Sequence, residues 1–442
     1  MRDPLQPSPD YLDHAGARRI VVGVLLTMLL AALDQVMVAT ALPTIAGSLG
    51  DVDNMSWVVT ANLLCATAAT PLYGKLSDIH GRRMMMLIAI GIYAAGSLAC
   101  ALAPTMLILI LSRALQGLGG GGLMPLVQTI IGDVASPRDR PRYQAYTSST
   151  FIISTVGGPL LGGFIAEHLH WSWIFWVNLP LCAIAFLLTH NVLQRLPRHD
   201  RPHQLDVLGA ALMVSAAIAL MLALTWGGRR YPWVSPQILV LFAASTGLWT
   251  LFVWRVMTTH EPFIPLSVLR DGAIRVGTGA AFFAVGTVIA LTIMLPLYAQ
   301  LALGLSVSES AASIIALQGA ATLTSVIAGR LIALVGLGLG PSFPFTIVVV
   351  QNAVAVHQLG VATGAMNFFR ALGSTFLVTG FGAIVLAGAP GIRGMPAGAL
   401  LAGTEAEAFR FVFAAAIFCL LVALACIVAL EERPLRGRNA PE

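Results

Sequence analysis

The chain has 442 residues, of which 57% are hydrophobic and only 10% are charged. A soluble domain carries about 25% charged residues, so this composition excludes an ordinary soluble protein and indicates a membrane protein. Apolar runs of about 20 residues, the length that crosses a bilayer as a helix, recur along most of the chain and exclude a β-barrel. We therefore predict an all-α polytopic membrane protein. Its net charge of +5 is spread over separate loops, which indicates topology and lipid contact rather than nucleic-acid binding.

The predicted spans follow one another from residue 20 to residue 430. They lie at 20–46, 57–77, 84–103, 106–131, 143–166, 173–190, 205–225, 236–256, 275–302, 309–332, 333–350, 360–388 and 409–430. We interpret the first run as a retained span rather than a signal peptide, because acids and prolines precede Arg18 and Arg19 and no small-residue cleavage site follows it.

Basic residues predict the orientation. Eighteen of the 25 lysines and arginines lie in the two termini and in the connections at 75–83, 138–142, 195–201 and 255–275, whereas four lie in the opposite set. Since cytoplasmic loops carry the excess of basic residues, we expect a cytoplasmic N-terminus. All five cysteines fall inside predicted spans without CxxC or histidine spacing. We interpret them as packing residues and expect neither a metal nor a cofactor.

The first span includes the segment LLTMLLAALDQVMVATALP, residues 25–43, whose single carboxylate is Asp34. In an apolar bundle, desolvation raises the proton affinity of a carboxylate and a nearby cation lowers it, so a cavity that opens to either side can load or release a proton. We predict that Asp34 is a proton switch between inward and outward states. The alternative is a neutral Asp34 that hydrogen-bonds a backbone carbonyl and holds two helices together.

The connection after the second span reads YGKLSDIHGRR, residues 73–83. One interpretation is a basic signal that sets the topology. The other is a gate, in which Asp78 near a helix end pairs with an arginine of a neighbouring turn and holds two bundles together until transport breaks the pair.

The fourth and fifth spans contain unusual residues for a membrane helix. RALQGLGGGGLMP, residues 113–125, places Arg113 inside the membrane, where a cation is costly unless it faces a partner or a wet cavity. VGGPLLGGF, residues 156–164, combines Pro159 with glycines, which favours a kink and close helix contact. The alternative for this second motif is that Gly and Pro are simply common in membrane helices.

Four segments resemble, in order, the signatures of the major facilitator superfamily, and specifically of its fourteen-span drug:proton antiporter family. They are LDQVMVATALP (33–43), GKLSDIHGRR (74–83), RALQG (113–117) and GGPLLGG (157–163), and the match extends to QNAV (351–354) and LGVATGAMNFFRALG (359–373). The resemblance implies the major facilitator fold, with two helical bundles, inverted repeats and two extra central spans. It also implies proton-coupled export of hydrophobic drugs, dyes or metabolites across the cell membrane by alternating access. Under this interpretation the expected partners are the hydrophobic substrate, protons and the lipid bilayer. We expect the protein to be a monomer and not to bind nucleic acid.

The roles of the family's motifs carry over to matching positions here. The proton-coupling acid corresponds to Asp34, and the assisting arginine of the fourth-span motif to Arg113, followed by Gln116 and Gly117. The gating loop corresponds to Gly74, Lys75, Asp78, Gly81, Arg82 and Arg83, and the antiporter helix motif to Gly158, Pro159, Gly162 and Gly163. The chain departs from the family pattern at Val36, Ala39 and Asn62, where Thr, Asn and an aromatic residue are usual, which predicts a more apolar cavity near Asp34.

An internal repeat indicates a missing segment. LQGLGGGGLMP (115–125) matches LVGLGLGPSFP (334–344), and a similar tripeptide precedes each copy. GKL (74–76) ends 39 residues before the first copy starts, whereas GRL (329–331) ends 3 residues before the second copy starts. The spacing is therefore 36 residues shorter in the second half. About one loop and one helix are therefore absent from the second half, which leaves about 12 to 13 spans. The apolar stretch at 309–350 can double back at Arg330 and so cross the membrane twice, or it can cross once with its surplus residues displaced. We favour the single crossing, with disturbed packing at 325–340, because it keeps the basic C-terminus in the cytoplasm.

The predicted organisation has six parts. These are a cytoplasmic tail (1–19), a six-helix bundle (20–190), a cytoplasmic linker (191–204), a two-span insert (205–256), an incomplete second bundle (275–430) and a cytoplasmic tail (431–442). Because of the gap, a transport-impaired or regulatory remnant of an exporter is the second hypothesis. A membrane-embedded enzyme is a remote third one, because the sequence has no HExxH motif or phosphate loop and we assign no catalytic residue.

Overall fold

The computed structural model describes residues 14–51, 54–135, 139–195, 205–228, 230–301, 303, 342–388 and 406–430. In these ranges the regular structure is helical apart from an isolated bridge between Gly227 and Tyr231, so the all-α prediction is confirmed. The α-helices are α1 (His14–Leu49), α2 (Met55–His80), α3 (Arg82–Ala101), α4 (Met106–Val134), α5 (Arg140–His168), α6 (Trp173–Trp176), α7 (Asn178–Val192), α8 (Val207–Trp226), α9 (Pro236–Thr258), α10 (Leu266–Arg270), α11 (Gly272–Leu301), α12 (Ser342–Ala353), α13 (Leu359–Gly388) and α14 (Ala406–Val428).

Within the described ranges, eleven segments are long and apolar enough to cross a membrane. Ten of the predicted spans match a long helix with boundaries shifted by a few residues, and the span at 173–190 is split at Val177 into α6 and α7. The span at 333–350 is described only from Ser342, as the 12 residues of α12, so its earlier part is not tested. The span at 309–332, the second copy of the repeat before Ser342, and Arg330 lie outside the described residues, as do residues 196–204 of the linker at 191–204.

Helices α1–α7 pack into a first bundle. In it α4 lies against both α2 and α3, and α1 lies against α5 and α7. Two clusters of buried apolar side chains fill it, one around Met28, Met86 and Leu126 and the other around Ile45, Leu109 and Phe175. Both clusters draw on helices α1 to α5, so the buried interior of the bundle follows the length of these helices.

Helices α11–α14 form a second bundle, in which α11 packs against α13 and α14. The insert, α8 and α9, shares a buried cluster with it, in which Trp249 of α9 lies against Phe368 and Phe369 of α13. The insert also reaches the first bundle, where Trp226 of α8 meets Trp57 of α2 edge-on with ring centroids 5.8 Å apart. The insert therefore contacts both bundles.

The contacts also define the direction of each helix relative to the turn between α2 and α3, which we call the Asp78 end. Helix α13 begins there, because Asp78 accepts hydrogen bonds from the first turn of α13. Helix α11 runs parallel to α13, since Phe282 lies against Gly373 and, one turn further along both helices, Gly286 lies against Leu377. Helix α14 runs the other way, since Phe409 contacts Tyr298 and Cys426 lies beside Gly279. The chain thus leaves α14 at the Asp78 end, the direction that the single-crossing alternative requires.

Candidate functional site

Asp34 and Arg113 form a buried ion pair between α1 and α4. The Nη1 atom of Arg113 lies 2.6 Å from Oδ2 of Asp34, and the two side chains are 1% and 3% exposed respectively. Each charge would be costly alone in an apolar bundle, and together they are compensated. Two residues that are 79 positions apart in the sequence therefore form one site.

Two amides complete the hydrogen bonding of the Asp34 carboxylate. Gln116 Nε2 donates to Oδ1 at 3.2 Å, and Asn178 Nδ2, from the first turn of α7, donates to the same oxygen at 2.6 Å. Gln116 Nε2 also donates to the Ser97 hydroxyl of α3 at 2.8 Å, which orients its amide. The carboxylate thus accepts hydrogen bonds from one guanidinium and two amides. This geometry differs from the alternative of a neutral Asp34 bound to a backbone carbonyl.

The Arg113 guanidinium has further partners besides Asp34. Its Nε donates to the backbone carbonyl of Val58 on α2 at 3.2 Å, its Nη1 donates to Oε1 of Gln116, and its Cζ lies 5.8 Å from the centre of the Phe175 ring. A planar group held at several points has little freedom to reorient. Arg113 is thus fixed by α1, α2, α4 and α6 together.

Asn178 was not selected from the sequence, although it is the most closely bound amide. It is fully buried, and its Oδ1 has no hydrogen-bond partner among the described residues. The available signal was a carboxamide inside the apolar run WIFWVNLPLC, since polar side chains within a membrane span are rare and usually face the bundle interior. Nothing in the spacing, however, connects Asn178 to Asp34.

The fourth- and fifth-span glycines lie where helices come close together. A Cβ on Gly117 would overlap the backbone carbonyl of Asn62 on α2, and a Cβ on Gly158 would stand 2.6 Å from the Cβ of Val36 on α1. Gly162 faces the backbone of Met37 in the same way. Pro159, by contrast, is exposed, and a Cβ on Gly163 would meet no described atom within 4 Å. Gly158 and Gly162 therefore form the contact of α5 with α1 at Val36 and Met37.

The gating-loop residues cluster at the Asp78 end. Gly81 has φ +89°, a conformation that an L side chain rarely adopts, and it allows the tight turn from α2 to α3. Arg82 forms ion pairs with Asp78 and, at 2.8 Å from its Nε, with Asp133 of α4. Arg83 contacts the ring nitrogens of His190 on α7 at 3.1 Å, and Lys75 is buried. All of these side-chain contacts lie within the first bundle.

The link from this loop to the second bundle is a carboxylate at a helix N-terminus. Asp78 Oδ1 accepts the backbone N–H of Gly360 at 3.1 Å and Oδ2 that of Val361 at 2.8 Å. The positive end of the helix dipole stabilises a negative charge there. Gly74 and Gly360 face each other so closely that a Cβ on either would overlap the carbonyl of the other. Asp78 thus joins the bundles through α13, while its arginine partner belongs to its own bundle.

A second contact between the bundles, the polar seam, was also not selected from the sequence. It consists of Gln128 on α4, Gln351 on α12, and Thr363 and Asn367 on α13, all at most 3% exposed. Asn367 Nδ2 donates to Oε1 of Gln128 at 2.7 Å, and Gln351 Nε2 donates to the Gln128 carbonyl at 2.9 Å and to the Thr363 hydroxyl at 3.3 Å. QNAV and LGVATGAMNFFRALG supplied the family resemblance, but their contacts depend on how the bundles meet.

Two packed bundles of long apolar helices, with a buried ion pair inside the first, define a polytopic membrane protein. The family model described as Major Facilitator Superfamily matches residues 24–378, and the chain belongs to this family. Members of this family are transporters rather than enzymes, so the hypothesis of a membrane-embedded enzyme is excluded.

The chain is similar to two bacterial proteins with drug-related names. It is 31% identical to multidrug transporter protein MdtP of Bacillus subtilis over 406 residues, covering 83% of this chain and 75% of that one. It is 34% identical to multidrug resistance protein 3 of the same species over 297 residues, covering 67% of this chain and 58% of the relative. The human organic anion transporter MFSD10 shares the fold, with a TM-score of 0.59 and 17% identity over 92% of this chain and 99% of that structure. The major facilitator fold is therefore shown for this chain.

Proposed function

We propose that this protein exports hydrophobic small molecules across the cytoplasmic membrane in exchange for protons. The observation that carries the proposal is the buried Asp34–Arg113 pair, a titratable acid at the centre of a transporter bundle. The similarity to two proteins named for multidrug transport or resistance supports a drug-like substrate. The two helices of the insert support membership of the fourteen-span drug:proton antiporter family, whose extra spans lie between the bundles.

Asp34 is the proton-binding residue in this proposal. In the described arrangement it accepts three hydrogen bonds as a carboxylate. Protonation removes the charge that Arg113 compensates, so the guanidinium keeps the Val58 carbonyl, the Gln116 amide and the Phe175 ring but loses its ionic partner. Breaking one side of a buried ion pair costs about 3–5 kcal/mol, which is enough to change the balance between two conformations.

In this proposal Asn178 hydrogen-bonds Asp34 in both protonation states of the Asp34 carboxyl group. Its amide donates to the ionised carboxylate, and a half-turn of the amide about its last bond presents Oδ1 to the hydroxyl of a neutral acid. The lack of a described partner for Oδ1 leaves that oxygen able to accept. We therefore assign Asn178 as a positioning residue for Asp34.

The Asp78 end is the cytoplasmic gate in this proposal, with the N-terminus on the same side. The two bonds from α13 to Asp78 and the polar seam hold that side closed, and alternating access requires both to separate. The bundles then move as two bodies, residues 20–190 and 275–430, with the insert at 205–256 between them and a monomer as the working unit.

Efflux of a dye panel tests the proposal. Cells that express the full chain are loaded with fluorescein, rhodamine 6G or a neutral dye and then energised. We expect pH-gradient-dependent efflux of at least one dye that Asp34→Asn abolishes, since an amide keeps the shape and loses the titration. Asp51→Asn is the matched control, because Asp51 lies just beyond the C-terminal end of α1, away from Asp34, where its carboxylate accepts hydrogen bonds from the Asn54 amide. Equal efflux by Asp34→Asn and the unaltered chain, both above empty cells, contradicts the coupling role.

The second candidate function is a transport-impaired or regulatory relative of such an exporter. It rests on the 36-residue difference between the two repeats and on the proposed internal deletion near residue 332, which lies outside the described residues. A bundle that lacks one helix has no matched partner for the rocking motion of alternating access. Under this candidate the chain inserts and binds ligands but transports weakly or not at all.

A further inference from the structure

The polar seam is a contact between the bundles whose hydrogen bonding is incomplete. Asn367 Nδ2 donates to Gln128 Oε1 at 2.7 Å, and Gln351 Nε2 donates to the Gln128 backbone carbonyl at 2.9 Å. The other polar atom of each side-chain amide is buried and has no hydrogen-bond partner among the described residues; these atoms are Gln128 Nε2, Gln351 Oε1 and Asn367 Oδ1. Three amides that are at most 3% exposed thus form only part of the hydrogen bonds available to them.

The seam lies deeper along α13 than the bonds to Asp78. Asn367 follows Gly360, whose backbone N–H donates to the Asp78 carboxylate, by about two helical turns or roughly 10 Å. One turn further along α13, Nη2 of Arg370 lies 3.1 Å from the Met124 sulfur at the edge of the seam. Two chemically different contacts thus join the bundles at different depths, namely a carboxylate at a helix N-terminus and a set of neutral amides.

Closing the seam costs its amides part of their hydration. When the bundles are apart, water can bind every N–H and C=O group of these side chains, whereas in the closed arrangement the protein supplies partners for only some of them. A partly bonded buried network is less stable than an apolar contact of the same shape. An apolar contact would gain free energy on closing, because it removes hydrocarbon from water. The seam therefore stabilises the closed arrangement less than apolar packing of equal size would.

We propose that the polar seam aligns α4, α12 and α13 but lowers the stability of the closed gate, so that the gate can reopen in every transport cycle. Directional hydrogen bonds specify one alignment of the bundles. Alternating access needs open and closed states of similar free energy, since protonation or a ligand must be able to reverse their ratio. The bonds to Asp78 then hold the gate closed, and the seam determines how easily they are overcome. This inference rests on the proposed function and names a regulatory contact of its gate.

Spin labels report the state of the gate without transport. His80→Cys and Arg275→Cys place the labels at exposed positions at the Asp78 end of the first and second bundles, in a full chain that lacks the five native cysteines. Pulsed electron paramagnetic resonance in lipid nanodiscs gives the ratio of open to closed populations from the distances between the two labels. Each variant is measured with Asp78 and with Asp78→Asn. We expect the open state to be more populated with Asp78→Asn, so a fall in the ratio is measurable there.

Single and double substitutions separate a lost partner from a lost amide pair. Asn367→Leu alone leaves the Gln128 amide buried without that partner, so we expect the open-to-closed ratio to rise about tenfold. Gln128→Met together with Asn367→Leu replaces both amides by apolar side chains of similar shape, so the ratio should fall about tenfold below that of the parent chain. Thr129→Val is the control and should leave the ratio unchanged, because the buried Thr129 hydroxyl donates to the Pro125 carbonyl of its own helix at 2.8 Å.

The ratio measured for the double variant decides the outcome. The inference is overturned if that ratio is equal to or higher than the ratio of the parent chain, because the amides would then stabilise the closed gate at least as well as apolar packing does. The distances require neither a proton gradient nor a substrate. A chain that shows the expected ratios but no Asp34-dependent efflux contradicts the proposed function alone, whereas an active exporter whose double variant opens contradicts this inference alone.

Discussion

The polar side chains around Asp34 are stabilised by contacts with one another across different helices. Arg113 at 1% exposure and Asp34 at 3% are tolerable only as a pair, since removal of one partner leaves the other as a buried, uncompensated charge. The two oxygens of the Asp34 carboxylate have different donors: Oδ2 accepts a hydrogen bond from the Arg113 guanidinium, and Oδ1 accepts hydrogen bonds from the Gln116 and Asn178 amides. This division separates the effect of charge from the effect of positioning, and a variant exists for each.

Arg113→Lys tests the charge. We expect loss of most proton-coupled efflux, because a lysine ammonium keeps the charge but cannot bind the Asp34 carboxylate, the Val58 carbonyl and the Gln116 amide in the same fork. The measurement is efflux over a range of external pH values. Arg255→Lys is the matched control, since Arg255 pairs with Asp206 in the insert and is 34% exposed. An Arg113→Lys chain with unchanged pH dependence makes Arg113 a packing residue only.

Asn178→Ala tests the positioning. Loss of this donor leaves Oδ1 of Asp34 with Gln116 as its amide partner and holds the carboxylate less firmly toward Arg113. We expect the pH profile of efflux to differ from that of the unaltered chain, with correct membrane insertion. Thr189→Ala, a fully buried polar change on the same helix, should leave the profile in place. If Asn178→Ala lowers the efflux rate but leaves the pH profile of efflux unchanged, the role of Asn178 is purely structural.

At the scale of elements, α4 connects the proposed proton site to the proposed gate. It carries Arg113 near one end and Asp133, the second partner of Arg82, near the other, 20 residues or about 30 Å apart along the helix. Between them lie Met124 and Gln128, which face α13. A rigid helix that contributes to both regions is a physical route by which a changed charge at Asp34 biases the contact between the bundles.

Asp78→Asn tests the gate. The amide loses the charge that α13 stabilises and the ion pair with Arg82, so we expect the Asp78 end to open more often. A cysteine at Thr363, which is buried in the polar seam, reports the opening in a background that lacks the five native cysteines. Labelling by a water-soluble maleimide should rise about tenfold, the effect of about 1.4 kcal/mol. The Asp51→Asn chain should label at the original rate, and a rise in both variants excludes a specific gate.

At the scale of the whole molecule, the proposed deletion affects the second bundle. Of its described helices, α11 and α13 both begin toward the Asp78 end, and α14 runs back so that it ends there. This agrees with a single crossing between α11 and α13, for which α12 supplies the last 12 residues. The basic residues Arg433, Arg436 and Arg438, which lie outside the described residues, follow that end in the sequence.

Insertion of about 36 residues from a complete relative after Leu331 tests the proposed deletion. We expect weak or absent efflux by the chain as it stands and clear efflux once the missing loop and helix are supplied, because two matched bundles can then rock around a central site. A Gly/Ser segment of equal length is the control and should restore nothing. Robust efflux by the uninserted chain that depends on Asp34 shows that the missing helix is dispensable.

Much of the fold was predictable because membrane helices satisfy their own backbone and must be apolar over a fixed length. Ten of the spans were placed to within a few residues for this reason, and Asp34 and Arg113 stood out because charge is rare inside such runs. The split at Val177 was not predictable, because a short interruption leaves the apolar pattern unchanged.

The sequence by itself determined that this chain is a multispan helical protein of the major facilitator type, with Asp34, Arg113 and Asp78 at its exceptional positions. Those conclusions depend on composition and on local patterns, which are read along one helix at a time. Only the tertiary structure decided that Asn178 and Gln116 share Asp34 with Arg113, that Asp78 binds the first turn of α13, and that Arg370 faces α4 across the edge of the polar seam. These contacts join residues from different helices, and their partners depend on how each helix is rotated and which helix lies beside it, neither of which a uniformly apolar pattern specifies.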